Sequence, residues 1–151
     1  MNGVIQCTNE ASQTLVSNSA PVKFSNVDLR TNSANCFNGW LNYNEGSAQF
    51  NILEGGRYRI SFNTNITGGA GVVALGLYTN GIKQDGAETN TTIATANNYE
   101  NVSIRKEIRV CGRGNVSVTI QSVPSVDVNG VATATQIPTL KNSIISIERL
   151  S

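Results

Sequence analysis

Residues 57–65 read RYRISFNTN, with Tyr58, Ile60 and Phe62 at every second position and Arg57, Arg59, Ser61, Asn63 and Asn65 between them. A period of two belongs to a strand with one dry face and one wet face. What the dry face packs against, and what the wet face is for, decide the reading of the whole chain.

The same alternation extends outward in both directions. Upstream, SAQFNI points Ala48, Phe50 and Ile52 inward, and Glu54-Gly55-Gly56 reads as a turn into the next strand. TLVSNSAPVKF reads as two short strands broken near Pro21, with Val22 and Phe24 on one face. Downstream, VVALGLYTNGIKQ alternates Val73, Leu75 and Leu77 with small residues. Its Asn80-Gly81 pair accepts positive φ at both positions, as a two-residue type I′ hairpin requires. NVSIRKEIRVCG and NVSVTIQSV alternate again, the second with Val116, Val118 and Ile120 inward. Residues 84–100, QDGAETNTTIATANNYE, are polar with weak periodicity and read as a long loop or an irregular strand. The closing LKNSIISIERLS carries Ile145 and Ile147 on one side, Ile144 and Leu150 on the other. A strand apolar on both faces is either central in its sheet or covered by another subunit. About eight to ten short strands at this spacing, with no helical pattern longer than a turn, predict an all-β antiparallel sandwich or barrel.

Composition agrees and narrows the function. The 151 residues suit one domain with a single core, residues 1–151. Net charge is +1, and Lys and Arg are not gathered into a basic stripe. A partner held by phosphate neutralisation, whether nucleic acid or anionic membrane, is therefore not expected. No apolar run approaches the roughly 18 residues of a membrane span. MNGVIQCTNE lacks a basic segment followed by an apolar core, so a chain made and used without signal-peptide export is expected.

Chemistry is sparse. Histidine is absent, which removes the commonest general base and with it Ser-His-Asp and Cys-His activation of a nucleophile. The three cysteines, Cys7, Cys36 and Cys111, have no CxxC spacing, so no zinc site is expected. They read as small apolar residues in or near a reduced core. GGAG at 68–71 and GRGN at 112–115 lack the lysine and helix of a phosphate loop and read as turns. The acidic residues are scattered and do not pair as a glycosidase needs. Asp85 and Glu88 in QDGAE lack the dense oxygen spacing of a calcium loop. No catalytic residue, metal ligand or cofactor is expected.

Several pieces in this order resemble a known domain: AxxTLVxNxAPVKF at 11–24, GGRYRISFNTNI at 55–66, VVALGLYTNG at 72–81, NVSIRKEIRVCGRGNVSVTIQ at 101–121 and SIISIERL at 143–150. The pattern resembles the jelly roll of tumour necrosis factor and of complement-type globular heads, in its bacterial and bacteriophage versions. The resemblance implies a two-sheet antiparallel jelly roll that assembles into homotrimers, one sheet of each subunit facing its neighbours. Carried onto this chain, it makes Tyr58, Phe62, Ile144 and Leu150 the candidate subunit contacts. No Gly-X-Y collagen repeat precedes the domain, so trimers would form unaided or be placed by another protein.

The function this implies is a non-enzymatic structural module on a bacteriophage virion surface, as a capsid decoration protein or the head of a short fibre. Its partners would be two copies of itself and other virion proteins. A bacterial cell or spore surface is the alternative location. The alternative function is recognition of a host glycan or other host surface by outward loops. Trp40, Asn97, Asn98 and Tyr99 are the candidates there, because amides and aromatic rings are the groups that hold sugars; a tryptophan is on average heavily buried, which favours an ordinary packing role for Trp40.

Overall fold

The computed structural model describes residues 3–15, 20–30, 39–123 and 137–151. They form nine strands: β1 (Gly3–Asn9), β2 (Gln13–Thr14), β3 (Asn26–Arg30), β4 (Leu41–Asn42), β5 (Phe50–Thr67), β6 (Gly71–Thr79), β7 (Ile82–Ile93), β8 (Glu100–Ser122) and β9 (Thr139–Arg149). All pairings are antiparallel, in the order β3-β1-β9-β5-β8-β6-β7, with β2 added to β9 and β4 to β5.

Two of these strands are not short. β5 has 18 residues and β8 has 23, and they stay paired from Phe50↔Val118 to Ile66↔Glu100. The pair runs through two layers. In one layer the second half of β5 and the first half of β8 sit beside β9, β1 and β3. In the other, the first half of β5 and the second half of β8 sit beside β4, β6 and β7. The register slips at Ile52/Glu54 and Glu54/Gly56, and Gly112 opposite takes φ +69. Bulges of this kind bend a ladder without ending it. Glu54-Gly55-Gly56 is therefore a corner within one strand, where the sequence suggested a turn between two.

The dry face of RYRISFNTN is the floor of the core. Tyr58, Ile60 and Phe62 are fully enclosed, and Ile145 and Ile147 lie across from them on β9. From the second layer come Phe50, Ile52, Leu75, Leu77, Val118 and Ile120. Aromatic rings join the two: Phe24 meets Phe50 at 5.9 Å and Phe62 edge-on at 6.1 Å, and Trp40 lies 5.5 Å from Tyr58. Tyr43 stacks on Phe50 at 4.0 Å and donates its hydroxyl to Phe24 O and Ser47 O, so the buried ring carries no unsatisfied group. Thr64 and Ser143, the buried hydroxyls between β5 and β9, bond each other at 2.8 Å.

The Asn80-Gly81 hairpin forms as the sequence indicates, with φ of 50° and 80°. Asn80 Oδ1 also accepts the Ser117 amide at 2.9 Å, tying the turn to β8. Residues 84–93, which the sequence leaves as a long loop or an irregular strand, continue the hairpin as strand β7. β7 is an edge strand with half of its residues exposed, and Ala87 and Ile93 are its buried residues. A strand wet on both faces carries no alternation to read. β9 is central, between β1 and β5, which accounts for part of its two-sided apolarity.

Candidate assembly face and loop surface

In the layer β3-β1-β9-β5-β8 the residues between the core positions point away from the core. Register aligns them in rows across four or five strands. One row is Val4, Glu148, Arg59 and Glu107. The next is Leu29, Gln6, Ser146, Ser61 and Arg105, and the third is Thr8, Ile144, Asn63 and Ser103. Lys141, Asn65 and Asn101 close one end, and Arg57 beside Arg109 closes the other. In the three rows the side chains on β1, β9 and β5 are partly covered by their neighbours and partly open, while Arg57 and Lys141 at the two ends are exposed.

This outer face is mostly uncharged at its centre. Short Thr, Asn and Ser side chains flank Ile144, Val4 pairs with Glu148, and Leu29 at the β3 edge is 45% exposed. Arg59 lies between two carboxylates, 3.5 Å from Glu107 and 4.0 Å from Glu148, and its Nε is buried with no partner among the described residues. Exposed pairs of this kind contribute at most about 1 kcal/mol each. Asn101 donates to Asn63 Oδ1 at 3.1 Å and Asn65 Oδ1 at 3.0 Å, and Asn63 returns a bond at 3.1 Å, so these amides largely satisfy one another.

The candidate contact residues divide. Ile144 and Leu150 are half-buried, Ile144 on the outer face and Leu150 just past β9, where its amide donates to Arg57 O. Tyr58 and Phe62 are 0% and 2% exposed and belong to the subunit's own core, so the expectation that they touch a neighbouring subunit is corrected. The two share the face of Ile60, and that face looks inward. Trp40 is corrected likewise as a ligand-binding residue: it is 1% exposed and packed on Tyr58. Val4 and Leu29 on the outer face were missed. The alternation of GVIQCTN was visible, but only the pairing with β9 assigns Val4 to the outside.

The loop candidates Asn97, Asn98 and Tyr99 are exposed, Tyr99 at 45%. The loop is fixed to the end of β5: Asn97 N donates to Gly68 O, and Thr67 Oγ1 donates to Asn98 O at 2.7 Å. Asn97 takes φ 67°, a left-handed conformation asparagine tolerates. Lys141 Nζ lies 5.8 Å from the Tyr99 ring centre, near the Asn65 and Asn101 end of the outer face.

The strongest shifts in acidity come from core packing. Burial pushes the Cys7 thiol up to about 12, Arg30 opposing and Asp28 and Glu45 adding to it. Burial raises the Tyr43 and Tyr58 phenols, with Cys7 and Glu45 adding at Tyr43. At Glu88 desolvation acts upward, but hydrogen bonds from Lys83 and Asn90 outweigh it and the carboxyl lies below its usual range. Among the described residues no group of three or more His, Cys, Asp or Glu side chains is placed to hold a metal ion. Cys111 is exposed, contrary to the expectation that the cysteines lie in or near the core; Cys7 is buried, and Cys36 lies outside the described residues.

No protein-family model matches the sequence, and no curated protein matches it. Solved structures do match the fold. Murine APRIL at pH 5.0 superposes with a TM-score of 0.66 at 10% identity, over 99% of this chain and 100% of that one. The globular domain of zebrafish complement 1qA protein gives 0.65 at 10% identity, over 96% and 94%. Murine APRIL at pH 8.5 gives 0.61 at 12% identity, over 99% and 100%. With its two layers, its crossing pair β5 and β8 and these neighbours, the chain has the tumour necrosis factor-like jelly-roll fold.

Proposed function

We propose that this chain is a non-enzymatic structural module that assembles as a homotrimer through the outer face of the β3-β1-β9-β5-β8 layer. The observation that supports this most is the half-covered centre of that face: Ile144 among short uncharged side chains, with Val4, Leu29 and Leu150 at its margins. An isoleucine on the outer side of a central strand is costly to leave wet. Covering it contributes roughly 25 cal/mol per Å² of apolar area. Low charge at the centre lets a second copy approach without a large desolvation cost. The setting we propose is a bacteriophage particle, where a decoration protein or the head of a short fibre needs rigidity and no chemistry. The sequence resemblance to bacteriophage jelly rolls supports that setting, with other virion proteins as docking partners and a bacterial cell or spore surface as the alternative.

The test is Ile144→Asp, followed by sedimentation equilibrium. A carboxylate desolvated in each contact is expected to weaken association at least a thousandfold, which is about 4 kcal/mol. The subunit itself should stay folded by circular dichroism, because position 144 points away from the core. Association unchanged by the substitution would place the contact elsewhere.

A second reading is recognition of a host glycan at the end of the same layer. It is favoured by the exposed ring of Tyr99, the nearby Lys141, and the amides of Asn97 and Asn98 on a loop anchored by backbone bonds. Sugars stack on such rings and hydrogen-bond to amides. On a glycan array the purified protein should then bind a defined set of sugars, and Tyr99→Ala should reduce that binding at least tenfold. Silence across the array removes this reading and leaves the structural one.

A further inference from the structure

Where β5 and β8 cross from one layer to the other, a groove of about 490 Å³ opens between Gly55, Gly56, Arg57, Arg109, Val110, Cys111, Gly112 and Ser151. Arg57 and Arg109 are direct cross-strand partners on its two sides. Side chains opposed in this way have Cβ atoms about 5 Å apart, and like charges so placed destabilise a ladder. The usual remedy is a carboxylate between them. Here none is supplied by the described side chains. Arg59 takes Glu107 and Glu148, and Arg149 takes Glu54 at 2.7 Å. The Arg57 side chain has one bond, Nε to Ser151 Oγ at 3.3 Å, and the Arg109 side chain has no hydrogen bond or ion pair with any described residue.

Its floor is a close approach of backbones that leaves no room for a side chain. A Cβ on Gly55 would stand 2.7 Å from Gly112 O, and one on Gly56 would stand 2.3 Å from Ser151 O. The corner therefore has a bare backbone floor with two guanidinium forks at its rim. Arginine pairs of this kind hold planar or tetrahedral oxygen groups through paired N–H donors.

We infer that this corner groove binds a small oxyanion, a sulfate, phosphate or carboxylate group, between Arg57 and Arg109. Bound there, the ion replaces a repulsion with two charge-assisted contacts and clamps the corner that joins the layers. The inference does not depend on how many copies assemble.

The experiment is thermal unfolding of the full chain in sodium sulfate, phosphate or acetate, each against sodium chloride at equal ionic strength. Backbone amide spectra are recorded alongside. Sulfate stabilises most proteins by exclusion, in a linear fashion that reaches hundreds of millimolar. A site adds a saturable rise, half-complete at about 1 mM for two charge-assisted contacts, with amide shifts centred on Gly55, Gly56 and Gly112. Arg109→Gln and Arg57→Gln should each raise the half-saturating concentration at least tenfold and leave the linear part untouched. In chloride alone both variants should melt at or above the parent temperature, since one of two repelling charges has gone. A purely linear response in parent and variants alike overturns the proposal. So does a fall of several degrees in chloride, which would mean that the guanidinium already has its partner within the fold.

Discussion

Phe62→Ala is expected to destabilise the folded subunit by about 3–5 kcal/mol, the range for emptying an aromatic site in a packed core. The ring is 2% exposed, meets Phe24 edge-on at 6.1 Å, and sits across from Ile104 on β8 and Ile145 on β9. Its removal leaves a cavity between two layers whose backbones are fixed by ladders on both sides, so collapse into the space is limited. Urea unfolding should show the loss as a lower midpoint. Light scattering under native conditions should show no change in mass. The contrast with Ile144→Asp is the informative part: one substitution should cost stability without mass, the other mass without subunit fold. If Phe62→Ala instead dissociated the assembly while the subunit kept its stability, the core described above would be assigned to the wrong side of β5.

Gly55→Val is expected to cost about 3 kcal/mol or more and to shift the corner between layers. A Cβ at this position would lie 2.7 Å from Gly112 O and 3.2 Å from both Gly112 N and Val110 O. These are backbone atoms of β8 in the strand pair that carries the whole architecture, and they cannot swing aside as a side chain does. Next door, Gly56 takes φ +151, a conformation side-chain-bearing residues rarely adopt. Chemical denaturation gives the stability change. A loss below about 1 kcal/mol would show that the corner has more room than these distances allow.

The alternating stretches were legible because each has one face in the core. RYRISFNTN, NVSVTIQSV and the Asn80-Gly81 turn all follow from side-chain period and backbone sterics alone. Residues 84–93 left loop and irregular strand both open, because an edge strand wet on both faces gives composition without a pattern. The corner at Gly55-Gly56 was misread for a related reason: two glycines mark a departure from ordinary strand geometry, and bend and reversal share that mark. At the candidate site, period two placed Tyr58 and Phe62 on one side of a strand but could not say whether that side met the core or a neighbour. Ile144 was legible because it lies opposite Ile145 and Ile147 on a short strand. Val4 and Leu29 join it only through the register of β3, β1 and β9. Two arginines 52 positions apart, Arg57 and Arg109, face each other for the same reason: pairing, not sequence, brings them together.

The molar mass of the purified chain, measured by light scattering across a hundredfold range of concentration, bears most directly on all of this. Three copies of a 16.1 kDa subunit should scatter as a particle of about 48 kDa that persists on dilution into the low micromolar range, a stability in keeping with a buried apolar sheet face. A steady mass near 16.1 kDa at every concentration would contradict the account and leave the outer face of β1, β9 and β5 as the surface of a solitary subunit.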